Sequence, residues 1–156
     1  ADPFDLVSVA FSKGLGATAG SLLAGSKETI QRCIRYRRTL GGAMRQVGIL
    51  AAAALYALDH NMDRLADDHA HARMIAERIA ASPRINLDLA TVQTNIIVFH
   101  LAAGAPSAAD FAARARERGL LVSIFGPRTI RAVTHLDVTR QQCERAAGII
   151  AEAAAG

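Results

Sequence analysis

Val9-Ala10-Phe11-Ser12-Lys13-Gly14-Leu15-Gly16-Ala17-Thr18-Ala19-Gly20-Ser21 is the stretch on which the reading of this chain turns. Leu6 to Phe11 is a run of apolar and β-branched residues that ends at Ser12-Lys13-Gly14, which predicts a buried strand running into a loop. Glycine makes that loop conformationally permissive, and Ser21 to Gly25 predicts a second short strand returning from it. A lysine at the end of a buried strand is partly desolvated, which favours the neutral amine that attacks an aldehyde, while small neighbours leave room for a flat ligand. Taken alone, such a lysine is more ordinarily a solvated charge. Two phosphate-loop readings compete for the same glycines and both miss. Gly14 to Gly20 reads GxGxxxG instead of GxGxxG, and Gly20 to Lys27 reads GxxxxGSK, which inverts the end of a P-loop.

The chain has 156 residues, enough for a proper core, and its spread of 51% apolar and 21% charged residues reads as globular. No charge-free apolar run reaches the roughly 18 residues of a membrane helix, and no signal-peptide pattern opens the chain, so we expect a cytoplasmic protein with no membrane partner. Cys33 and Cys143 stand far apart without a CxxC or Cys/His pattern, which predicts neither a disulfide framework nor a metal site. The formal charge of +4 invites a nucleic-acid partner, but the excess is small and arginine supplies almost all of it. We expect none. A strand-like run almost at residue 1 implies a start in mid-fold, with the first three residues read as vector-derived.

Working outward, Glu28 to Arg38 has a helical pattern, with Ile30, Cys33 and Ile34 against a basic side of Arg32, Arg35, Arg37 and Arg38, and Gly41-Gly42 ends it. A second helix is expected over Ala43 to Leu58, apolar nearly all round, which in a soluble protein means burial in a larger assembly. Asn61 is expected to cap a third helix whose apolar stripe is Leu65, His69, Ala72, Ala76 and Ile79, stopped by Ser82-Pro83. Beyond it the order reads strand (Ile85 to Leu89), strand (Asn95 to Leu101), helix (Ala108 to Arg118), strand (Leu120 to Phe125), strand (Thr129 to Thr134) and helix (Arg140 to Ala154). Gly119 suits a helix end, Gly126-Pro127 a turn, and Thr139 with Gln142 a capping box. Residues 61–156 are thus expected to form one α+β unit with a four-stranded sheet and its helices on one face.

The remaining candidates divide between bland and functional readings. His69 and His71 follow Asp67 and Asp68, but residues two apart on a helix diverge, so a packed His69 and an exposed His71 are expected in place of a metal site. The arginines of residues 32–38 read as a solvated face. Arg45 follows a glycine pair at an expected helix start, and Arg131 sits inside an apolar strand. An arginine there points most often to the solvent side of the pleat, yet its forked donors also suit a carboxylate or phosphate.

Several separated segments together resemble the L-threonine aldolase family of fold-type-I pyridoxal-phosphate enzymes. They are Phe11 to Ala17, Leu40 to Gln46 with the alanine-rich helix after it, Asp67-Asp68-His69-Ala70 with Ala72-Arg73, Val92 to Asn95, and Ile130 to Val138. Order and spacing agree over nearly the whole chain, as a C-terminal half. The resemblance implies an α/β, fold-type-I transferase-like architecture: residues 1–60 as the end of the large cofactor domain, and residues 61–156 as the small domain. It implies pyridoxal 5'-phosphate held by Lys13, Arg45 reaching the cofactor phosphate across a subunit interface, and Arg131 holding the substrate carboxylate. It further implies cleavage of L-threonine or L-allo-threonine to glycine and acetaldehyde by a homo-oligomer, a dimer or tetramer; the alternatives are another pyridoxal-phosphate lyase acting on a β-hydroxy or β-substituted amino acid, and a non-catalytic oligomerisation fragment. Ala43 stands where the family usually has a third glycine. The family's N-terminal half, which supplies further cofactor contacts and the base, has no counterpart in these residues.

Overall fold

Burial alternates strictly along Ile96–Leu101, an apolar run that becomes one of the two inner strands of the larger sheet in the computed structural model, which describes residues 3–156. Of the three opening residues read as vector-derived, Ala1 and Asp2 lie outside the described residues. The elements in chain order are β1 (Leu6–Ala10), β2 (Ser21–Gly25), α1 (Lys27–Thr39), α2 (Gly48–Asn61), α3 (Leu65–Ala80), β3 (Ile85–Asn86), β4 (Ile96–Leu101), α4 (Ala108–Glu117), β5 (Ser123–Gly126), β6 (Thr129–Val133) and α5 (Arg140–Ala155). They fall into two units, Ala1–Asp63 and Arg64–Gly156.

In the first unit β1 and β2 pair antiparallel, with Leu6 opposite Gly25 and Ala10 opposite Ser21. The expectation of a buried strand fails here: β1 is exposed along nearly its whole length, because a two-stranded sheet leaves both edges and much of both faces uncovered. Ser26 caps α1 by accepting from the Thr29 amide. Gly41, at φ +75°, closes it: its N–H donates to the Arg38 carbonyl, and that of Gly42 to the Arg37 carbonyl. The second helix starts at Gly48, five residues later than expected, because Gln46 takes φ +52°, a left-handed conformation that no α-helix admits. Asn61 ends α2 instead of capping α3, and its side-chain amide donates to the Leu15 carbonyl at 2.7 Å. Only Ala54 and Ala57 of α2 are buried, while Ile49, Leu55 and Tyr56 stand exposed.

The second unit is a four-stranded antiparallel sheet of order β3-β4-β6-β5 with its core on one face. The pleat sorts the residues: Ile97 and Ala132, then Phe99 and Ile130, pair on the inner face, whereas Ile96 and Val133, then Val98 and Arg131, pair on the open one. Ala72, Ile75, Ala76 and Ile79 of α3, Phe111 and Ala115 of α4, and Ala147, Ile150 and Ala153 of α5 join that core. Phe99 and Phe111 meet edge to face with ring centroids 5.8 Å apart. The strand expected over Ile85 to Leu89 stops at Asn86 because the Asp88 side chain accepts from the Ala90 amide and starts a 3-10 turn. β5 likewise begins only at Ser123: the Leu120 amide is spent on the Ala115 carbonyl in the turn that Gly119 closes at φ +85°. The capping box of Thr139 and Gln142 is present in full.

Candidate functional site

Lys13 sits in a turn whose backbone is held and whose side chain is not. The Gly16 amide donates to the Lys13 carbonyl at 2.9 Å, the Ala17 amide to the Phe11 carbonyl at 2.9 Å, and the Phe11 amide to the Gly20 carbonyl at 3.0 Å. Gly16 at φ +71° makes the reversal, and the buried side chains of Leu15 and Ala17 anchor the loop to the unit beneath. Lys13 itself is exposed, so the desolvation expected from a buried strand is not supplied by this chain. Among the described residues its amine makes neither a hydrogen bond nor an ion pair. A cleft of about 790 Å³ lies in the same unit between β2, α1 and α2, lined by Phe11, Gly20, Leu23, Cys33, Met44 and Leu50 among others; Lys13 and Arg45 do not line it.

Arg45 is exposed in the bend that precedes α2, one residue before the left-handed Gln46. It therefore stands on a loop, not at the helix start where it was expected. Among the described residues its guanidinium is also uncommitted, which suits an anion better than a structural ion pair would.

Arg131 belongs to the second unit and lies on the open face of the sheet, opposite Val98 on β4 and Ser123 on β5. It is half-buried. The Phe125 ring covers it, with the guanidinium carbon 4.7 Å from the ring centroid, and its Nε is buried with no hydrogen-bond partner. A guanidinium on the solvent side of a strand ordinarily spends its donors on a carboxylate or carbonyl. Arg128, three residues earlier, does so, with Nε donating to the Leu101 carbonyl at 2.8 Å and one outer nitrogen, Nη2, to the carbonyls of both Ala102 and Ala105. Arg131 has spent none, which is the state expected of an anion receptor.

Helix α3 carries further titratable residues. His69 is exposed and His71 half-buried, the reverse of the expectation, because the buried row of α3 runs Asp68, Ala72, Ile75, Ala76 and Ile79 and leaves His69 a step to one side. Asp68 is fully buried with both carboxylate oxygens free of hydrogen bonds, its charge offset by Arg64 at 3.6 Å. Burial, reinforced by the Asp68 charge, pushes the Cys143 thiol above its ordinary pKa. Thr134, also buried, donates its hydroxyl to the Asp68 carbonyl at 2.6 Å and exchanges backbone and side-chain bonds with Asn95, mooring the end of β6 to α3 and β4. Hydropathy gives no signal for a carboxylate inside an apolar row.

In the first unit, an exposed primary amine on an ordered glycine turn and an uncommitted guanidinium are groups of the kind pyridoxal phosphate needs; in the second, Arg131 by itself keeps its outer donors free. A family model described as beta-eliminating lyase matches residues 1–102. The low-specificity L-threonine aldolase of Escherichia coli K12 is 40% identical over 138 residues, which cover 88% of this chain and 39% of that protein. Low-specificity L-threonine aldolase 1 of Arabidopsis thaliana is 39% identical over 136 residues, covering 86% and 38%. An alanine racemase of Cochliobolus carbonum is 36% identical over 124 residues, covering 76% and 32%. The chain thus spans well under half the length of these relatives. Among solved structures, a Listeria monocytogenes protein assigned as an L-allo-threonine aldolase superposes with a TM-score of 0.74 at 19% identity, over 96% of this chain and 45% of that one. A methionine gamma lyase of Micromonospora echinospora gives 0.69 at 20% identity, over 97% and 49%. The fold is that of the fold-type-I pyridoxal-phosphate enzymes, and by its match over residues 1–102 the chain belongs to the beta-eliminating lyase family.

Proposed function

We propose that this chain is the C-terminal part of a pyridoxal-phosphate-dependent aldehyde-lyase that cleaves L-threonine or L-allo-threonine to glycine and acetaldehyde. The observation that carries the reading is identity of 39 to 40% with bacterial and plant threonine aldolases across 86 to 88% of this chain. When bound, the cofactor supplies a conjugated ring that accepts the electron pair released as the substrate's Cα–Cβ bond breaks. Lys13 holds the cofactor through its amine. Arg45 takes the phosphate, in a site to which a second subunit contributes. Arg131 fixes the substrate carboxylate through its outer nitrogens, which sets the direction of the bond to be broken. The base for the β-hydroxyl proton belongs to residues outside this chain.

In this reading residues 1–60 complete the large cofactor domain and residues 61–156 are the small domain of a cytoplasmic homo-oligomer, a dimer or tetramer. The exposed Ile49, Leu55 and Tyr56 of α2 support the oligomer, since they form an apolar face on one element. None of the described helices is long and apolar enough to cross a membrane.

The likeness to a fungal alanine racemase favours a second reading, in which the same lysine and arginines serve proton exchange at Cα. A substrate panel on the complete enzyme separates the two: acetaldehyde and glycine from threonine support the lyase, whereas D-alanine from L-alanine without acetaldehyde sinks it. Lys13→Ala is expected to abolish either turnover. A colourless chain that stays so with added cofactor, yet runs as an oligomer on a sizing column, would instead mark an interaction fragment.

A further inference from the structure

We propose that Phe125, in the strand beside Arg131, is a positioning residue whose ring shields the inner nitrogen of the guanidinium and leaves the outer two to bind a carboxylate. The inference rests on the reading of Arg131 as the carboxylate anchor. Three independent observations meet at this point. The first is register. β5 pairs Ser123 with Arg131 and Ile124 with Ile130, but then Gly126, not Phe125, faces Thr129. By the two-residue period Phe125 shares the open face with Ser123, which makes it the diagonal neighbour of Arg131, and the shift leaves it as the unpaired extra residue of the bulge. Bulges gather beside sites.

The second observation is the contact itself. The guanidinium carbon stands 4.7 Å from the centre of the Phe125 ring, inside the range at which a ring face attracts a cation. The third is the donor ledger of Arg131: Nε is buried with no acceptor, while the outer nitrogens form no hydrogen bond and are not buried. A buried donor without an acceptor is normally avoided, so its persistence here needs a compensating partner, and the electron-rich ring face is the partner present. The result is a guanidinium fixed in plane and direction before any ligand arrives. A free arginine side chain would have to give up rotamer freedom on binding, and the stacked one already has.

Two measurements test this. In the full chain with ¹⁵N-labelled arginine, the Nε–H resonance of Arg131, assigned by its loss in Arg131→Lys, is expected to be displaced upfield by the ring and slow to exchange. Phe125→Leu should abolish both features and Phe125→Tyr, which keeps the ring face, should preserve them. An ordinary, fast-exchanging Nε–H in the parent chain, or one indifferent to Phe125→Leu, would overturn the proposal. In the complete enzyme, Phe125→Leu should raise KM for the amino acid roughly three- to tenfold, with kcat within about twofold and Phe125→Tyr near the parent, the pattern of a lost uniform-binding contribution. If Arg131→Lys raises KM and Phe125→Leu does not, the positioning role fails and the carboxylate reading stands. If Arg131→Lys leaves KM unchanged, the carboxylate reading fails and takes the positioning role with it, even where the resonance behaves as expected.

Discussion

Replacing Phe111 by alanine should remove about 4 kcal/mol from the stability of the second unit. Phe111 is 0% exposed and meets Phe99, also 0% exposed, edge to face at 5.8 Å. Truncation therefore loses the transfer energy of a whole ring, leaves a cavity between α4 and β4, and breaks an aromatic pair worth about 0.5–1.5 kcal/mol. A domain of roughly 90 residues has about 5–13 kcal/mol in total, so the variant should fold but only marginally. Its Tm should fall by about 15–30 °C, at 4–8 °C per kcal/mol for a domain of this size. Urea unfolding followed by far-UV circular dichroism is the assay, since the sequence contains no tryptophan. The built-in control is Phe125→Ala: that ring is 60% exposed, and its loss should cost no more than about 1 kcal/mol, chiefly the contact with Arg131. A Phe111→Ala loss no larger than that of Phe125→Ala would show that the two rings are not sorted between core and surface as described.

Thr134→Val keeps the shape of a buried residue and deletes the hydroxyl that bonds the Asp68 carbonyl, so it should cost about 1–2 kcal/mol in the same unfolding assay. Cys143 gives a pH dependence. Its folded pKa is raised while that of the unfolded thiol is ordinary, so the unfolded state releases its proton first and stability falls as pH rises above about 8.5. Cys143→Ala should flatten that alkaline decline, read as denaturation midpoints between neutral and alkaline pH, and an unchanged slope would count against the buried thiol. Thr139→Ala removes the side-chain cap of α5 and should cost about 1 kcal/mol, with the m-value unchanged.

The sequence was most legible where one local rule acts alone. The apolar, β-branched run within Asn95 to Leu101, the glycine at 119, and Thr139 with Gln142 each specify a geometry through neighbouring residues, and each appears in the structure. The start of α2 was not legible because a segment apolar on every side carries no phase, and the left-handed Gln46 that delays the helix is a residue of no marked preference. The buried row of α3 was misread by one position for a related reason: alanines set its pattern, and the residue that shares their face is a carboxylate, Asp68. At the candidate site, spacing alone left Lys13 a solvated charge and Arg131 open between two readings, and their proposed roles came from the resemblance. The approach of Phe125 to Arg131 was not legible, because neither strand's own residues say which strand pairs beside it and in what register. Nor was the exposure of β1, which depends on what pairs beside it and not on its own residues.

We propose that Lys13 is the residue that holds pyridoxal phosphate. The direct measurement is an absorption spectrum of the purified chain mixed with the cofactor, before and after borohydride, with the reduced adduct located by mass spectrometry. A visible band that borohydride removes and a single adduct on Lys13, absent from Lys13→Ala, are expected. Labelling spread over Lys13, Lys27 and the amino terminus, or no adduct at all, would contradict the proposal.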